Sequence, residues 1–332
     1  MAGMNQRSTG VIRRRLTGVG AAVVSMLMMI GLVGTGTAGA WSANPERVHT
    51  DWVRSDAMHR DIKVQWKEAN GGVAGAPTLY LLDGLRARDD FNGWDIMTNA
   101  FDKFHNDRIN VVTPVGGESS FYADWISPSN FNGQEGVYKW ETFMMHELPN
   151  WMEGVKGARP DRNAIMGLSM SGSAALYFAA KQKFRYSFAG SLSGYLNLST
   201  PGMPMSIRIA MLDAGLFNVD AMWGPPWAQG WVDHDPFVFA PELRGLSLYI
   251  SAGSATPDPS NGDNPVSLQD HWNNGMGIGL EALSLATAKV FELRLDSLNI
   301  PATFSFPIGV HNWNNWNREL DKAKGQILDA TR

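Results

Sequence analysis

A serine in a turn of small residues is the clearest candidate for chemistry in this chain of 332 residues. The segment Gly167-Leu168-Ser169-Met170-Ser171 follows a short apolar run and precedes a run typical of a helix. A nucleophile elbow has this context, because the sharp strand-to-helix turn leaves room only for small residues two positions either side of the serine. Ser171 replaces the usual second glycine and is small enough. Ser169 is therefore a candidate nucleophile, and a serine-rich turn without chemistry is the alternative.

A histidine near the end of the chain is the candidate general base. His311 comes five residues after a predicted last strand, Thr303 to Phe306. Three histidines, His234, His271 and His311, follow the candidate serine, and His311 alone follows a terminal strand. The chain order serine, acid, histidine is that of α/β-hydrolases. This order predicts His311 as the base, and a capping or surface imidazole is the alternative.

The acid that would orient this histidine is not settled by spacing. The usual position, after a strand ending at Ile250, nominates Asp258, Asp263 or Asp270. Asp258 and Asp263 lie among Pro, Ser, Asn and Gly, a composition equally typical of solvated turns. Glu281 has the pattern of an ordinary helix carboxylate. The residues alone therefore leave the third member of a triad open.

A mostly parallel sheet would bring these positions to one edge. Apolar or alternating runs predict strands at 61–66, 78–82, 109–112, 163–166, 188–192, 246–250 and 303–306. Helices are predicted at 96–104, at 141–155 with a kink or break at Pro149, and at 170–184. Strands that alternate with helices predict an α/β fold with helices on both faces of the sheet. Ligands bind such sheets at the carboxyl ends of the strands.

Composition excludes several other kinds of function. The chain has no cysteine, which removes disulfides, thiolate catalysis, zinc–cysteine sites and iron–sulfur clusters. From Trp41 onward, 24 basic residues stand against 32 acidic ones, a net charge of −8 that disfavours nucleic acid. The three aspartates named above do not have EF-hand spacing, and His271 has no partner at metal-ligand spacing. No metal and no cofactor are therefore predicted.

The first 40 residues have the pattern of a secretory signal peptide. Arginines at 13–15 precede an apolar run from about Leu16 to Val33, and small residues end at Ala38-Gly39-Ala40. This pattern predicts cleavage before Trp41, which leaves 41–332 as a single domain without a transmembrane segment. An uncleaved anchor is the alternative, because a run of about 18 residues is at the lower limit for spanning a bilayer. The twin-arginine export route stays open.

Several long motifs resemble the antigen 85 mycolyltransferases and their corynebacterial relatives. The resemblance is collinear from about Asp61 to the C-terminus. The motifs that carry it are Tyr80 to Asp95 (YLLDGLRARDDFNGWD), Pro114 to Trp125 (PVGGESSFYADW), Tyr138 to Phe143 (YKWETF), Gly167 to Gly172 (GLSMSG) and Met222 to Pro225 (MWGP). Motifs of this length are far more specific than an isolated serine elbow.

The resemblance implies an α/β-hydrolase fold and an acyltransferase. Such an enzyme moves a mycolyl group from trehalose monomycolate to a second one, giving trehalose dimycolate, or to cell-wall arabinogalactan. By position it implies Ser169 as the nucleophile, His311 in a His-x-Trp motif as the general base, and Glu281, in place of the aspartates, as the triad acid. The implied partners are therefore trehalose mycolate glycolipids and cell-wall arabinogalactan, and no oligomeric state is implied.

Further site residues follow from the same match. The implied oxyanion-hole donors are the amides of Leu85 and Met170. The implied substrate-binding residues are Asp83, Arg86 and Trp313, which match the trehalose site, and Asn197, at a position where relatives often carry an acid near the sugar. From the residues alone, Asp83 could equally form a strand-end turn and Arg86 a buried ion pair.

This sequence also departs from the family pattern. Met97 stands where relatives carry an asparagine that contacts trehalose, and the family's cysteines are absent. The segment 200–233 matches poorly apart from MWGP, and its Met and Trp residues could line an acyl groove or simply fill the core. A secreted serine carboxylesterase and a non-catalytic protein that binds the cell wall or matrix are the rival functions on this fold.

Overall fold

The computed structural model describes residues 48–263 and 268–332, with side chains from residue 275 in the second range. The predicted signal peptide and its cleavage site lie outside the described residues, as do the side chains of Asp270 and His271. All described residues belong to one compact unit. Within that unit, none of the described helices has the length and apolarity needed to span a bilayer.

The core of the fold is a sheet of eight described strands in the order β1-β2-β4-β3-β5-β6-β7-β8. Their bounds are β1 His49–Ser55, β2 Arg60–Lys67, β3 Thr78–Leu82, β4 Asn110–Pro114, β5 Asn163–Leu168, β6 Tyr186–Leu192, β7 Ser247–Ser251 and β8 Thr303–Ser305. The β1–β2 and β2–β4 pairs are antiparallel, whereas every pairing from β4 to β8 is parallel. The predicted α/β fold with a mostly parallel sheet is confirmed.

Helices surround this sheet. Their bounds are α1 Gly93–Ile96, α2 Ala100–Lys103, α3 Trp140–Thr142, α4 Leu148–Gly154, α5 Met170–Lys181, α6 Met203–Gly215, α7 Asp220–Trp223, α8 Gln229–Asp233, α9 Leu268–Ser297 and α10 Trp313–Thr331. A π-helical turn, Phe143–Glu147, joins α3 to α4, and 3₁₀ turns occupy Ala240–Leu243 and Pro259–Asn261. One face of the sheet packs on α5 and the other on α10, so each face has its own apolar core.

Two predicted helices differ from the structure. The helix predicted at 96–104 is instead the two short helices α1 and α2. Asn92 caps α1 by accepting a hydrogen bond from the Trp94 N–H at 2.9 Å. The Thr98 hydroxyl then donates to the Trp94 carbonyl and accepts from the Ala100 N–H, which ends one helix and begins the next.

The helix predicted at 141–155 is irregular, as expected, but the irregularity lies just before Pro149 and not at it. The π-helical turn occupies the residues before the proline, and Pro149 lies in the first turn of α4, where its missing N–H is not needed.

Strand β1 was not among the predicted strands. Its side chains alternate between buried and exposed only at its C-terminal end, so it lacks the regular alternation that is typical of a strand.

Candidate active site

Ser169 lies in a strained turn between β5 and α5. Its φ of 52° and ψ of −120° are unfavourable for a residue with a side chain, so the packing around it must hold the turn. Gly167 is essential to that packing, because a Cβ there would lie 2.1 Å from the Ser171 carbonyl oxygen. A Cβ on Gly172 would lie 2.7 Å from Cα of Gly194. The small residues predicted for a nucleophile elbow are thus required on both sides.

Ser171, which stands at the position of the second glycine of the motif, stabilises the turn through hydrogen bonds. The Ser171 hydroxyl accepts the Leu168 N–H at 2.9 Å and lies 3.1 Å from the Leu82 carbonyl oxygen, to which it can donate. These bonds join the elbow to the end of the neighbouring strand β3. Ser171 therefore stabilises the turn that carries Ser169.

His311 and Glu281 complete a hydrogen-bonded chain with this serine. Nε2 of His311 lies 2.8 Å from Oγ of Ser169, and Nδ1 lies 2.7 Å from Oε2 of Glu281. The Glu281 side chain is fully buried, and that of His311 is 5% exposed. A carboxylate at Nδ1 fixes the tautomer in which Nε2 accepts a proton. The arrangement can therefore activate the Ser169 hydroxyl as a nucleophile.

The ends of two strands hold the Glu281 carboxylate. Its Oε1 accepts hydrogen bonds from the Ser193 hydroxyl, at 2.8 Å after β6, and from the Gly253 N–H after β7. A Cβ on Gly253 would lie 2.5 Å from the Gly309 carbonyl oxygen and 3.0 Å from Oε1 of Glu281, so glycine is needed there. Ser193 in turn accepts the indole N–H of Trp316 at 3.0 Å. Sequence reasoning missed Ser193 and Gly253, because nothing in their spacing marks them.

The carboxylate beside His311 belongs to α9 and not to the loop after β7. Asp258 forms an ion pair with Arg318 at 2.8 Å, and Asp263 accepts a hydrogen bond from the Asn312 side chain at 2.6 Å. Both aspartates thereby fix the loops around the site. A signal for Glu281 was present in the sequence, since a carboxylate on the buried stripe of a helix needs a partner. The buried positions of that stripe are Gly277, Glu281, Ser284, Thr287, Ala288, Phe291 and Leu295.

The two predicted oxyanion-hole residues lie in the segments next to the serine. Met170 is the first residue of α5, so its N–H has no acceptor within the helix. The Gly84 carbonyl accepts the Ala87 N–H at 3.1 Å, which fixes the peptide that carries the Leu85 N–H, and the Leu85 carbonyl accepts the Ser119 N–H at 2.8 Å. A Cβ on Gly84 would lie 3.8 Å from Cβ of Ser169, so this turn runs beside the nucleophile. Both amides are therefore placed near Ser169.

Asp83 lies buried beneath that turn. Its carboxylate accepts hydrogen bonds from the N–H groups of Gly93 at 2.6 Å and Gly84 at 2.7 Å, and the Tyr122 hydroxyl accepts the Asp83 N–H at 2.9 Å. Burial raises the pKa of the Asp83 carboxyl to about 6, although the two amides oppose the shift. The contacts of Asp83 are thus those of a residue that shapes the strand-end turn.

The other predicted sugar-site residues are more accessible. Arg86 forms an ion pair with Asp213 on α6 at 2.5 Å, and its side chain is 55% exposed, so the pair is not buried. Asn197 is half-buried in the segment after β6. Trp313 begins α10 and packs edge-on against Trp94 and Trp316, with ring centroids 5.6 Å and 5.2 Å apart. Met97, the departure from the family pattern, is half-exposed at the end of α1.

The aromatic residues of the poorly matched segment pack in the core. Trp223 and Trp231 are both buried and meet edge-on at 5.1 Å. Trp223 also stacks on His234 at 4.8 Å. These contacts account for both tryptophans without an acyl groove. Among the side chains of 48–263 and 275–332, no three acidic or histidine groups converge as they would to hold a metal ion.

The chain is similar to a described protein family and to named relatives. The model of the family described as "Putative esterase" matches residues 55–327. The chain is 40% identical over 315 residues to the diacylglycerol acyltransferase/mycolyltransferase Ag85C of Mycobacterium leprae, with 92% of this chain and 90% of the relative covered. It is 41% identical over 315 residues to Ag85B of Mycolicibacterium smegmatis, with 92% and 93% covered.

A solved structure supports the same assignment. The crystal structure of Mycobacterium tuberculosis MPT51 (FbpC1) is similar with a TM-score of 0.73 at 29% sequence identity, covering 86% of this chain and 99% of that one. The α/β-hydrolase fold and the resemblance carried by the motifs are thereby confirmed. The chain therefore belongs to the esterase family and, within it, to the antigen 85 mycolyltransferases, and it is an acyltransferase.

Proposed function

We propose that this protein transfers a mycolyl group from trehalose monomycolate to a second trehalose monomycolate, or to cell-wall arabinogalactan, through an acyl enzyme on Ser169. The observation that carries the proposal is the hydrogen-bonded chain from Ser169 through His311 to Glu281, with distances of 2.8 and 2.7 Å. Relatives at about 40% identity are named as acyltransferases and mycolyltransferases, which supports mycolyl as the acyl group that is transferred.

The first half of the reaction forms the acyl enzyme. His311 takes the proton of the Ser169 hydroxyl as Oγ attacks the ester carbonyl of the donor, and Glu281 stabilises the imidazolium that results. The amides of Leu85 and Met170 hold the oxyanion, each contributing about 3 kcal/mol to the lowering of the barrier. His311 then gives the proton to the departing trehalose oxygen, and the acyl group remains on Ser169.

The second half transfers the acyl group to a sugar hydroxyl. His311 accepts the proton of that hydroxyl as it attacks the serine ester, and returns a proton to Oγ of Ser169 as the ester breaks. Water in place of the sugar would make the same site an esterase. The partition between sugar and water is thus what separates the proposed function from its rival.

Four residues form the proposed sugar subsite: Asp83, Arg86, Asn197 and Trp313. The exposed guanidinium of Arg86 and the accessible Asn197 offer donors to sugar hydroxyls. Asp83 shapes the turn that carries Arg86, and Trp313 supplies an apolar ring at the start of α10. The residue types fit a neutral polyol, because the subsite joins hydrogen-bonding groups to an aromatic surface.

Export is part of the proposal. The basic, apolar and small-residue segments of residues 1–40 support a signal peptide, and the substrates proposed are constituents of the cell envelope. N-terminal sequencing of the exported protein should give Trp41 as its first residue. A chain that retains Met1 and stays with the membrane would favour the anchor alternative.

Product analysis tests the function. The purified protein, given trehalose monomycolate, should form the diester and free trehalose in equal amounts, and Ser169→Ala should form neither. Ser297→Ala is a matched control, because that hydroxyl donates to the Arg294 carbonyl at the exposed end of α9. Free mycolic acid as the main product would instead establish an esterase, and diester synthesis by Ser169→Ala would exclude the proposed mechanism.

A further inference from the structure

An ion pair joins the turn of the oxyanion hole to the helix α6. Arg86 directly follows Leu85, and its Nη2 donates to Oδ2 of Asp213 at 2.5 Å, although the two residues are 127 positions apart. The Asp213 side chain is 14% exposed, whereas that of Arg86 is 55% exposed. The pair thus connects the proposed sugar subsite with a carboxylate that the proposed mechanism does not use.

The end of α6 that carries Asp213 is held by packing. Phe217, just beyond the helix, is buried, and its ring lies against Trp125 and Tyr138 with centroids 6.2 Å and 6.4 Å apart. Arg86 has a long and flexible side chain, and its exposed head has no comparable packing. Asp213 therefore determines the position of the guanidinium, and not the reverse.

The surroundings of Asp213 favour a cationic partner. The last turn of α6 contains no basic residue, and the negative end of the helix dipole disfavours a carboxylate there. Glu118 lies nearby, since a Cβ on Gly215 would be 3.6 Å from its carboxyl carbon. Burial raises the pKa of the Glu118 carboxyl, and the charge of Arg86 opposes this shift. Arg86 thus lies near two carboxyl groups, and Asp213 makes the direct contact.

The ion pair leaves most of the guanidinium for a ligand. An arginine has five N–H donors, and one of them, on Nη2, is directed to Asp213. The half-exposed head can offer its other donors to sugar hydroxyls. A side chain that is already held by a carboxylate loses less conformational freedom when the sugar binds. The pair therefore prepares Arg86 for its ligand.

We propose that Asp213 is a positioning residue, which holds the Arg86 guanidinium in place for the sugar of the donor and then for that of the acceptor. The inference rests on the proposed acyl transfer and adds a residue outside the four-residue sugar subsite. Asp213 acts only through Arg86, so its effect is on the binding of the sugar and not on the proton transfers of the triad.

The same contact influences the fate of the acyl enzyme. With water as acceptor, the water oxygen bonds to the acyl carbon, the bond to Oγ of Ser169 breaks, and His311 passes the proton of the water to Oγ. Sugar and water compete for one acyl enzyme, so weaker binding of the acceptor sugar sends more acyl groups to water. Asp213 thereby favours transfer over hydrolysis.

Asp213→Asn tests this, because it keeps the size of the side chain and removes its charge. With trehalose monomycolate, we expect KM to rise about two- to fivefold, while the rate of acyl-enzyme formation at saturating donor stays within about twofold. The ratio of free mycolic acid to diester should rise by a similar factor. Equilibrium binding of trehalose to Ser169→Ala, with and without Asp213→Asn, should show the same loss of affinity without any turnover.

A double mutant separates positioning from a purely structural role. In the Arg86→Gln background, Asp213→Asn should change KM and the product ratio by less than about 1.5-fold, because Asp213 acts through the missing guanidinium. A structural role predicts the same change in both backgrounds. Asp213→Glu, which keeps the charge, should retain more of the wild-type affinity for trehalose than Asp213→Asn does.

Asp220→Asn is the matched control. Asp220 pairs with Arg208 of the same helix α6, also at 2.5 Å, and this pair joins α6 to α7. Its loss should leave KM and the product ratio unchanged. Wild-type KM, product ratio and trehalose affinity in Asp213→Asn would overturn the inference, as would an undiminished effect in Arg86→Gln. Free acid as the only product of the wild type would instead overturn the proposed transfer, and the trehalose affinities alone would then decide the role of Asp213.

Discussion

Among the residues that the structure describes, two histidine–glutamate pairs can be compared, and they differ in whether the histidine also contacts a serine hydroxyl. His311 meets Glu281 at 2.7 Å through Nδ1, which leaves Nε2 for Ser169. His234 meets Glu141 at 3.1 Å through Nε2. The pairs are similar in residue type, although the side chains of His234 and Glu141 are 20% and 19% exposed and those of His311 and Glu281 are 5% and 0% exposed. They differ in what the second ring nitrogen contacts, and that difference decides which histidine can act as a base.

The second nitrogen of His234 is occupied by a backbone carbonyl. Nδ1 lies 2.7 Å from the Gly230 oxygen, which can only accept, and Glu141 can only accept at Nε2. Both nitrogens must therefore donate, which requires the protonated ring. Burial lowers the pKa of His234, but the bonds to Glu141 and Gly230 outweigh it, so its pKa is raised. This ring has no nitrogen with which to take a proton from a substrate.

The His234–Glu141 pair instead connects several helices. The Tyr177 hydroxyl, on α5, donates to Oε1 of Glu141 at 3.0 Å, and Trp223 stacks on the His234 ring with an interplanar angle of 18°. These contacts join α3, α5, α7 and the end of α8. The comparison teaches that a histidine paired with a carboxylate can take up a proton only when the geometry leaves its other ring nitrogen as an acceptor.

The largest difference is expected when each histidine is replaced by glutamine. His311→Gln removes the proton acceptor and should lower kcat/KM by about 10⁴-fold or more. His234→Gln should leave kcat/KM within about threefold and lower the unfolding free energy by about 1–3 kcal/mol. Steady-state transfer assays and urea unfolding of both variants measure these effects. Equal losses of activity would show that the two pairs do not differ as described.

The two glutamates should give a smaller contrast. Glu281→Gln keeps an oxygen for Nδ1 of His311 but loses the charge that stabilises the imidazolium, so kcat should fall by about 10³- to 10⁴-fold. Glu141→Gln should change kcat by less than about threefold, because its partner moves no proton. Comparing kcat for the two variants at one saturating donor concentration is sufficient. If kcat falls only slightly in Glu281→Gln, the main role of this acid is to orient His311, and its charge contributes little.

The smallest effect is a pH dependence of stability from His234. Its folded-state pKa is raised above the usual 6.5, so the His234–Glu141 pair stabilises the fold fully below that value and loses this contribution as pH rises through the folded pKa. The difference in unfolding free energy between the wild type and His234→Gln should therefore be larger at about pH 5.5 than at about pH 8.5. A difference that grows with pH would mean that His234 is neutral in the folded protein.

Local sequence patterns point to Ser169 and His311 more directly than to Glu281, for a physical reason. Ser169 and His311 lie in turns, where small neighbours and a strand end leave a local pattern. Glu281 lies in the middle of the helix α9, and only the fold brings it to the histidine. Helix spacing marks it as a buried position, but the identity of its partners depends on tertiary contacts that local patterns do not encode.

Local sequence patterns also fail to predict parts of the fold and the role of the His234–Glu141 pair. The central strands were predictable because continuous apolar runs are typical of strands buried on both faces. The division of 96–104 into α1 and α2 depends on the Thr98 side chain, which competes with the backbone for hydrogen bonds. The sequence does not distinguish His234 from His311 by residue type. Position after the last strand favours His311, and the groups around each ring show which nitrogen is left to accept a proton.

The central claim, that Ser169 carries the acyl group, is tested most directly by locating that group. After rapid mixing with trehalose monomycolate and acid quench, trypsin releases the peptide from Asn163 to Lys181, which contains Ser169, Ser171 and Ser173. The account predicts a mycolyl adduct on this peptide, with fragment ions that place it on Ser169. An adduct on another residue, or an unmodified peptide while diester accumulates, would contradict it.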